Sequence, residues 1–524
     1  MSYISGRDRA QVHYLPESLD QYVAADHDVR ALDAFVESIQ ASAYGFTKAQ
    51  PAATGRPPYD PLDLLRLLLW GYLNQVRSSR RLERECGRNL ELVFLLRGLR
   101  PDFKTLCDFR RDNGAAIQKV FREFVLLCRD LKLFGRELVA IDGTKLKASN
   151  NPARRASAEQ LKASIAELDG RIAEYLAAMA ESDRHEQDLF GATPAAPADS
   201  SGGGLSAKLA KVRRHREHLA QVLAAAEQSG TKAPLTDPQC QSMSKVGLGY
   251  NAQIAVDAKH HLIAVAQLAD AATDHEQLPV VGTAASAILE APELKATADG
   301  GYHDQAALAA AEAAGLECYV PRPAKGQAAT QGVFPKSDFL YEPARDGYRC
   351  PAGQLLSRRG QGHRNHGLQY QRYAAPSACR ACPLKAQCVK GAYRQVDRWE
   401  HEATMEAVAE RLADHPEMMR RRKSLVEHPF GTIKFWWGQG AVLTRGRRGV
   451  QTELSLSAWA YNFRRVLNLL GAAGLRQALR RRQEALRAAA GAPAGAFSAL
   501  NGASTAWRGQ LWRRKLRDRL RRPR

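Results

Sequence analysis

The chain lacks a long apolar run. A membrane helix needs about 18 or more consecutive apolar residues, and the stretch Leu62 to Leu69 is already broken by Asp63 and Arg66. That excludes a helix long enough to cross a bilayer. The first residues, Met-Ser-Tyr-Ile-Ser-Gly-Arg-Asp, lack the apolar core of a signal peptide, so the expectation is a cytoplasmic protein with no membrane partner. Cysteine is scarce and odd in number, nine in 524 residues, with four of them between 350 and 388. A secreted disulfide framework fits that count poorly, whereas a metal cluster in a reducing compartment fits it better. Acid is in deficit: 55 Asp and Glu against 76 Lys and Arg leave a net charge of +21, with an isoelectric point near 9.7. So basic a balance points to a polyanionic partner, most often nucleic acid. The apolar share of 45% and charged share of 25% are ordinary and argue for folded structure throughout most of the chain. At about 150 residues per domain, the length suggests three or four units.

Up to about residue 135 the pattern is helical. Leu62, Leu65, Leu69 and Leu73 recur at spacings of three and four, behind Asp60-Pro61 at a cap and first position. A basic stretch, Arg77 to Arg84, contains Arg80 and Arg81; Leu90, Val93, Phe94 and Leu96 follow. Then Pro101 to Asp112, bearing Arg110 and Arg111, would suit a helix-turn-helix. The pattern alone fits a DNA-binding domain and a packing or dimerisation domain equally well. The texture changes at Glu137. Leu138-Val-Ala-Ile-Asp142-Gly predicts a short strand ending on a carboxylate, and Tyr250–Asp257 and Leu262–Gln267 predict two more. Between the first and second lies an Ala-, Glu-, Lys- and Arg-rich stretch split by the linker-like Gly191–Gly204, which predicts an inserted helical hairpin with a flexible tip. A helix over 275–289, a strand ending near Asp299-Gly-Gly-Tyr302, a helix over 305–314 and a strand over 316–320 complete an α/β layer. Acidic residues at strand ends are where such layers place chemistry.

Two further clusters stand out. Cys350, Cys379, Cys382 and Cys388 supply four thiols, and the Cys-x-x-Cys step lets two of them reach one tetrahedral ion at about 2.3 Å. Structural zinc and unligated or redox-labile thiols both fit; a catalytic zinc does not, because four sulfurs leave no open position. Further on, Arg420, Lys423, Glu427 and Lys434 fall within about 60° of one face at 100° per residue. One acid among several cations suits a site that holds metal through the acid and phosphate through the cations; the plain alternative is a basic surface helix with an incidental Glu. Pro429 is expected to kink or interrupt that helix just past Glu427. His303 and His428 flank the acids as supporting residues. Leu454 to Leu470 predicts a closing amphipathic helix, and the Lys- and Arg-rich end from Trp507 adds a solvated tail that attracts phosphate.

With Asp142, Asp299 and Glu427 in order, the chain resembles a DDE transposase of bacterial insertion sequences over roughly residues 10 to 470. It is most similar to the group typified by insertion sequence 1182, within the set resembling insertion sequences 4 and 5. The resemblance is carried by Tyr59-Asp-Pro, Ser79-Arg-Arg-Leu-Glu, Leu99-Arg-Pro-Asp-Phe-Lys-Thr-Leu and Phe109-Arg-Arg, then by Ile141-Asp142-Gly-Thr-Lys, Ala298-Asp299-Gly-Gly-Tyr302 and Val426-Glu427-His-Pro-Phe-Gly-Thr-Ile-Lys434. It implies an RNase H-like fold, a mixed sheet with flanking helices, in which the three acids bind two divalent ions. It also implies a Lys434 that contacts DNA at the element end. Arg420 and Lys423 stand where the wider pattern has a tyrosine and an arginine, a departure in the part of the site that holds the end nucleotide. Two Mg²⁺ ions about 3.5–4 Å apart would activate the nucleophile and hold the leaving oxygen. Such hard cations take oxygen ligands, so Asp142 could bridge both ions while Asp299 and Glu427 complete one each.

The implied organisation is a helical DNA-binding domain over 1–135, with Arg80, Arg81, Arg110 and Arg111 among its contacts. The first part of the catalytic core follows over 136–323, interrupted by the hairpin over 150–245. A cysteine-rich, zinc-ribbon-like insertion covers 324–400, the rest of the core 401–470, and a basic tail 471–524. The implied function is binding of element ends and DNA cleavage and strand transfer, by a homodimer on DNA at the bacterial nucleoid. A hydrolytic nuclease on the same fold, and an inactive or domesticated DNA-binding protein, are the competing readings.

Overall fold

The computed structural model describes residues 18–490 apart from 52–53, 55–56, 152, 191–201, 245, 323–331 and 366–367. Six helices open it: α1 (Asp28–Glu37), α2 (Pro61–Leu73), α3 (Ser79–Glu85), α4 (Leu90–Leu95), α5 (Phe103–Asp112) and α6 (Gly114–Asp130). Short polar side chains start several of them by accepting otherwise orphaned backbone N–H groups. Asp60 accepts from Leu62 N at 2.8 Å, with Pro61 at the first helical position, and Asp102 accepts from Thr105 N at 2.9 Å.

A six-stranded sheet follows. Its strands are β1 (Leu138–Lys147), β2 (Gln241–Met243), β3 (Gly247–Asp257), β4 (Ile263–Leu268), β5 (Lys295–Thr297) and β6 (Glu317–Tyr319). Strand β3 pairs antiparallel with β1 on one side and with β2 and β4 on the other; β1, β5 and β6 run parallel. Helices α9 (Gln277–Leu289) and α10 (Gln305–Ala313) make the crossovers that parallel pairing requires. The expected order of three strands, helix, strand, helix, strand is present. One expectation is corrected: β1 does not end at Asp142 but continues to Lys147, because β3 stays paired with it from Val139 to Lys147. Between β1 and β3 stands the expected hairpin, α7 (Ala158–Phe190) and α8 (Gly202–Ser229), with its own small core of Leu161, Leu168, Leu219, Val222 and Ala226. Its linker-like tip lies outside the described residues.

After β6 the chain forms a separate antiparallel sheet, β7 (Leu340–Glu342), β8 (Gly347–Arg349), β9 (Leu355–Asn365), β10 (Leu368–Ala374) and β11 (Gln395–Trp399), in spatial order β11-β10-β9-β8-β7. Phe339, Tyr348, Leu356, Tyr373 and Val396 fill its core. The short helices α11 (Pro376–Arg380) and α12 (Lys385–Cys388) carry three of the four clustered cysteines. Helices α13 (Glu402–Asp414) and α14 (Glu417–Phe430) return to the main sheet. A π-helical turn, Gly431–Trp436, continues α14, and α15 (Gly446–Ala490) closes the fold.

Two helical expectations change here. Pro429 sits inside α14 without ending it at Glu427; the chain stays α-helical to Phe430 and then widens into the π turn. The closing helix runs past Leu470, with its only non-helical residue at Gly471 (φ 68, ψ 167). Beyond that glycine, Leu475 and Leu479 are buried and Arg482 pairs with Glu123 at 2.6 Å and Asp130 at 3.3 Å, both on α6. The end of the chain from residue 491, including the basic run from Trp507, lies outside the described residues. One continuous apolar core runs from Val29 through the sheet to Leu479. At its centre Phe35, Phe124, Trp459 and Phe463 pack ring on ring, with centroids 4.6–6.4 Å apart.

Candidate active site

Strand register brings two of the three expected acids together. Ala140 of β1 lies opposite Thr297 of β5, so Asp142 and Asp299, each two residues further on, emerge side by side where β5 leaves the sheet. Asp299 caps the turn Gly300–Tyr302, its Oδ1 accepting from Gly301 N at 2.8 Å, and Asp142 Oδ1 accepts from Gly143 N at 2.8 Å. Their remaining oxygens face one guanidinium. Arg422 Nη2 lies 2.9 Å from Asp142 Oδ2 and 3.3 Å from Asp299 Oδ2, so both carboxylates are within reach of a single cation. Burial pushes the Asp142 carboxyl up to about 6, against the pull of Arg422 and with a push from Asp299 and Asp274.

A buried polar network backs this pair. Asp274 Oδ1 accepts from Gln253 Nε2 at 2.7 Å, Asn251 Nδ2 at 2.8 Å and Lys145 Nζ at 3.1 Å. The Tyr302 hydroxyl donates to Gln253 Oε1. A Cβ at Gly143 would stand 2.3 Å from Gln253 Nε2 and 2.8 Å from Asp274 Oδ1, so only glycine fits beside Asp142.

The third acid is placed differently. Glu427 is 64% exposed on α14, and its charged contact is Lys423 one turn back, at 3.8 Å. No hydrogen bond or ion pair in the structure links it to Asp142 or Asp299. Arg420 and Lys423 are likewise exposed. The helix turns Met418, Leu425, Val426 and Pro429 inward, and Arg422 lies on that same side. Lys434 does not continue the α-helical face: it belongs to the π turn, and its ammonium reaches Thr144 Oγ1 of β1 at 2.8 Å. His428 faces the Tyr461 hydroxyl at 2.7 Å rather than the acids. In the helical region Arg80 and Arg81 are exposed, Arg111 is held by Asp108 and Asp112 at 2.6 and 2.8 Å, and Arg110 is half-buried with its Nη1 enclosed.

The four cysteines expected to share a metal, Cys350, Cys379, Cys382 and Cys388, line one small cavity beneath α11 and α12, and all are free thiols. Burial raises the Cys388 thiol, and the other three add to that rise. Among the described residues, no group of three or more His, Cys, Asp or Glu stands at metal-holding spacing, neither these thiols nor the acids. No described helix is long and apolar enough to cross a membrane.

Sequence reasoning missed Arg422, Lys145, Asn251, Gln253, Asp274 and Tyr302. A signal existed for the amides: Asn251 and Gln253 alternate along an otherwise apolar strand, which puts both on one face. Residues 17–112 match a family model described as a transposase domain (DUF772), and residues 349–467 match one described as a transposase DDE domain. The two matches support a DDE transposase. The DDE-domain match takes in the four cysteines, Glu427 and Lys434, while Asp142 and Asp299 lie ahead of it. No curated protein and no solved structure matches the chain.

Proposed function

We propose that this chain is an insertion-sequence transposase of the insertion sequence 1182 type, which binds element ends and cuts and transfers DNA strands with Asp142, Asp299 and Glu427 as its acids. The observation that carries the reading is the pair Asp142 and Asp299, held side by side by strand register with one cation between them. The strand order, with β1 central between antiparallel β3 and parallel β5, supports an RNase H-like core.

The donor set suits Mg²⁺: two hard carboxylates on neighbouring strands, close enough that Arg422 serves both. Bound there, divalent ions supply hydroxide or an activated 3′-hydroxyl and offset leaving-group charge. The protein's own part is to hold Asp142 and Asp299 in register and to place Lys434 beside β1. Glu427 would join from α14 by turning from Lys423 toward the acids. Excision at two ends calls for two active sites, which is the reason to expect a homodimer on DNA. The four-thiol cavity is assigned to one structural zinc on the chemistry of its donors, four soft sulfurs around one space.

The deciding experiment gives full-length protein, Mg²⁺ and DNA carrying the sequences that flank its own coding region. Asp142→Ala and Asp299→Ala should each abolish cleavage while sparing DNA binding, with losses far from additive in the double variant. An Asp299→Ala protein that still cuts overturns the assignment. Cleavage without any joined product would favour the hydrolytic nuclease.

A further inference from the structure

Phe435 and Trp436 are the two most exposed large apolar residues described, at 81% and 85%. They do not hang from a loose loop. Ile433 before them is buried, Trp437 N donates to Thr432 O at 2.9 Å, and Gln439 N donates to Ile433 O at 3.0 Å. Gln439 is itself buried and accepts from Ser457 Oγ at 2.5 Å, and Gly440 O accepts from Lys147 N at 3.0 Å. The turn is pinned on both sides, so the two rings project by construction. Adjacent aromatics held in water on a fixed turn need an occupant.

Charge selects among occupants. Lys434, on the same turn, places its ammonium at Thr144, two residues past Asp142 on β1. Arg77 donates to Ala441 O at 3.2 Å just beyond the turn. An aromatic pair flanked by cations matches a nucleic-acid strand, whose bases offer π faces and whose phosphates offer charge. Bases inside a duplex are already stacked on one another, so only an unpaired one is free to stack here. We propose that Phe435 and Trp436 form a stacking platform for an unpaired base next to the phosphate being cut. The proposal rests on the DNA-processing reading and deepens it by naming the strand state this site prefers.

The test uses the full chain and two short duplexes of the same sequence, one blunt and one with a single-stranded extension carrying 2-aminopurine. Stacking is sequence-tolerant, so the element end need not be known. Wild type should quench the 2-aminopurine and bind the extended duplex more tightly than the blunt one. Phe435→Ala/Trp436→Ala should lose that quenching and bind the extended duplex about tenfold more weakly or worse, with blunt-duplex binding unchanged. Trp436→Phe alone should keep most of the preference. Equal binding of the extended duplex by wild type and the double variant overturns the proposal while leaving the transposase reading standing. So does a double variant whose only change is from dimer to monomer, which would assign the rings to contacts between copies. A chain that binds neither duplex defeats both readings.

Discussion

Asp142 is held in a setting that disfavours its charge. Its carboxyl is raised by burial to about 6 from an ordinary 3.8. With the folded value above the unfolded one, folding penalises the ionised form. The penalty is fully present above about pH 6 and fades as pH falls toward 3.8. It amounts to about 3 kcal/mol at 1.36 kcal/mol per pKa unit. Asp142→Asn in the metal-free chain should therefore gain up to about 3 kcal/mol in denaturant unfolding at pH 8 and little near pH 4; an equal effect at both pH values would contradict this. Arg422 partly offsets the same cost and occupies the space a metal needs. Removing one positive charge a few ångströms from that space should strengthen cation binding about tenfold. Mn²⁺ titration of Arg422→Gln without DNA would show it, and unchanged affinity would mean that Arg422 leaves the space of its own accord. The acids were legible because each follows an apolar strand and precedes glycine. Arg422 was not, among four consecutive cations from Arg420 to Lys423. The inward side is fixed by Met418, Leu425, Val426 and Pro429. Arg422 lies four residues from two of these, Met418 and Val426, so the apolar pattern rather than the charge pattern identifies it.

At the scale of elements, local patterns placed most helices and strands within a few residues, and missed where tertiary packing overrides a breaker. Pro429 reads as a helix end, yet α14 tolerates it because the π turn takes up the change that follows. Gly471 reads as unremarkable, yet its φ of 68 and ψ of 167 lie in a region open essentially to glycine alone. There the chain breaks helix and redocks Leu475, Leu479 and Arg482 onto the first helices. Gly471→Ala should cost roughly 1–3 kcal/mol, read as a lower unfolding midpoint; an unchanged midpoint would mean the last helix contributes nothing to stability. The cysteine element has its own check. Purified protein should carry about one zinc per chain, absent from Cys379→Ser/Cys382→Ser. Zinc-free protein whose heat resistance ignores chelators would leave these as plain thiols.

At the scale of the molecule, the sequence suggested a helical domain ending near 135, but the apolar core runs unbroken from its helices into the sheet and α15. Cutting there would expose Phe124 where Trp459 and Phe463 pack on it, so DNA binding by this region has to be measured in the whole chain. The four arginines singled out from sequence then separate by environment. Arg80 and Arg81 stand exposed on α3, the former 5.0 Å over the Phe103 ring, while Arg111 is already held by two aspartates. Arg110 turns its guanidinium inward, where one nitrogen is enclosed. A cation that neutralises one phosphate contributes about 0.9 to the slope of log affinity against log salt. Arg81→Ala should lower that slope by about this amount on duplex DNA, whereas Arg110→Ala should leave the slope alone and lower the unfolding midpoint instead. Equal slopes for wild type and Arg81→Ala would move the phosphate contacts to another face. A slope lowered by Arg110→Ala in a protein of unchanged stability would show that its side chain swings outward to meet DNA.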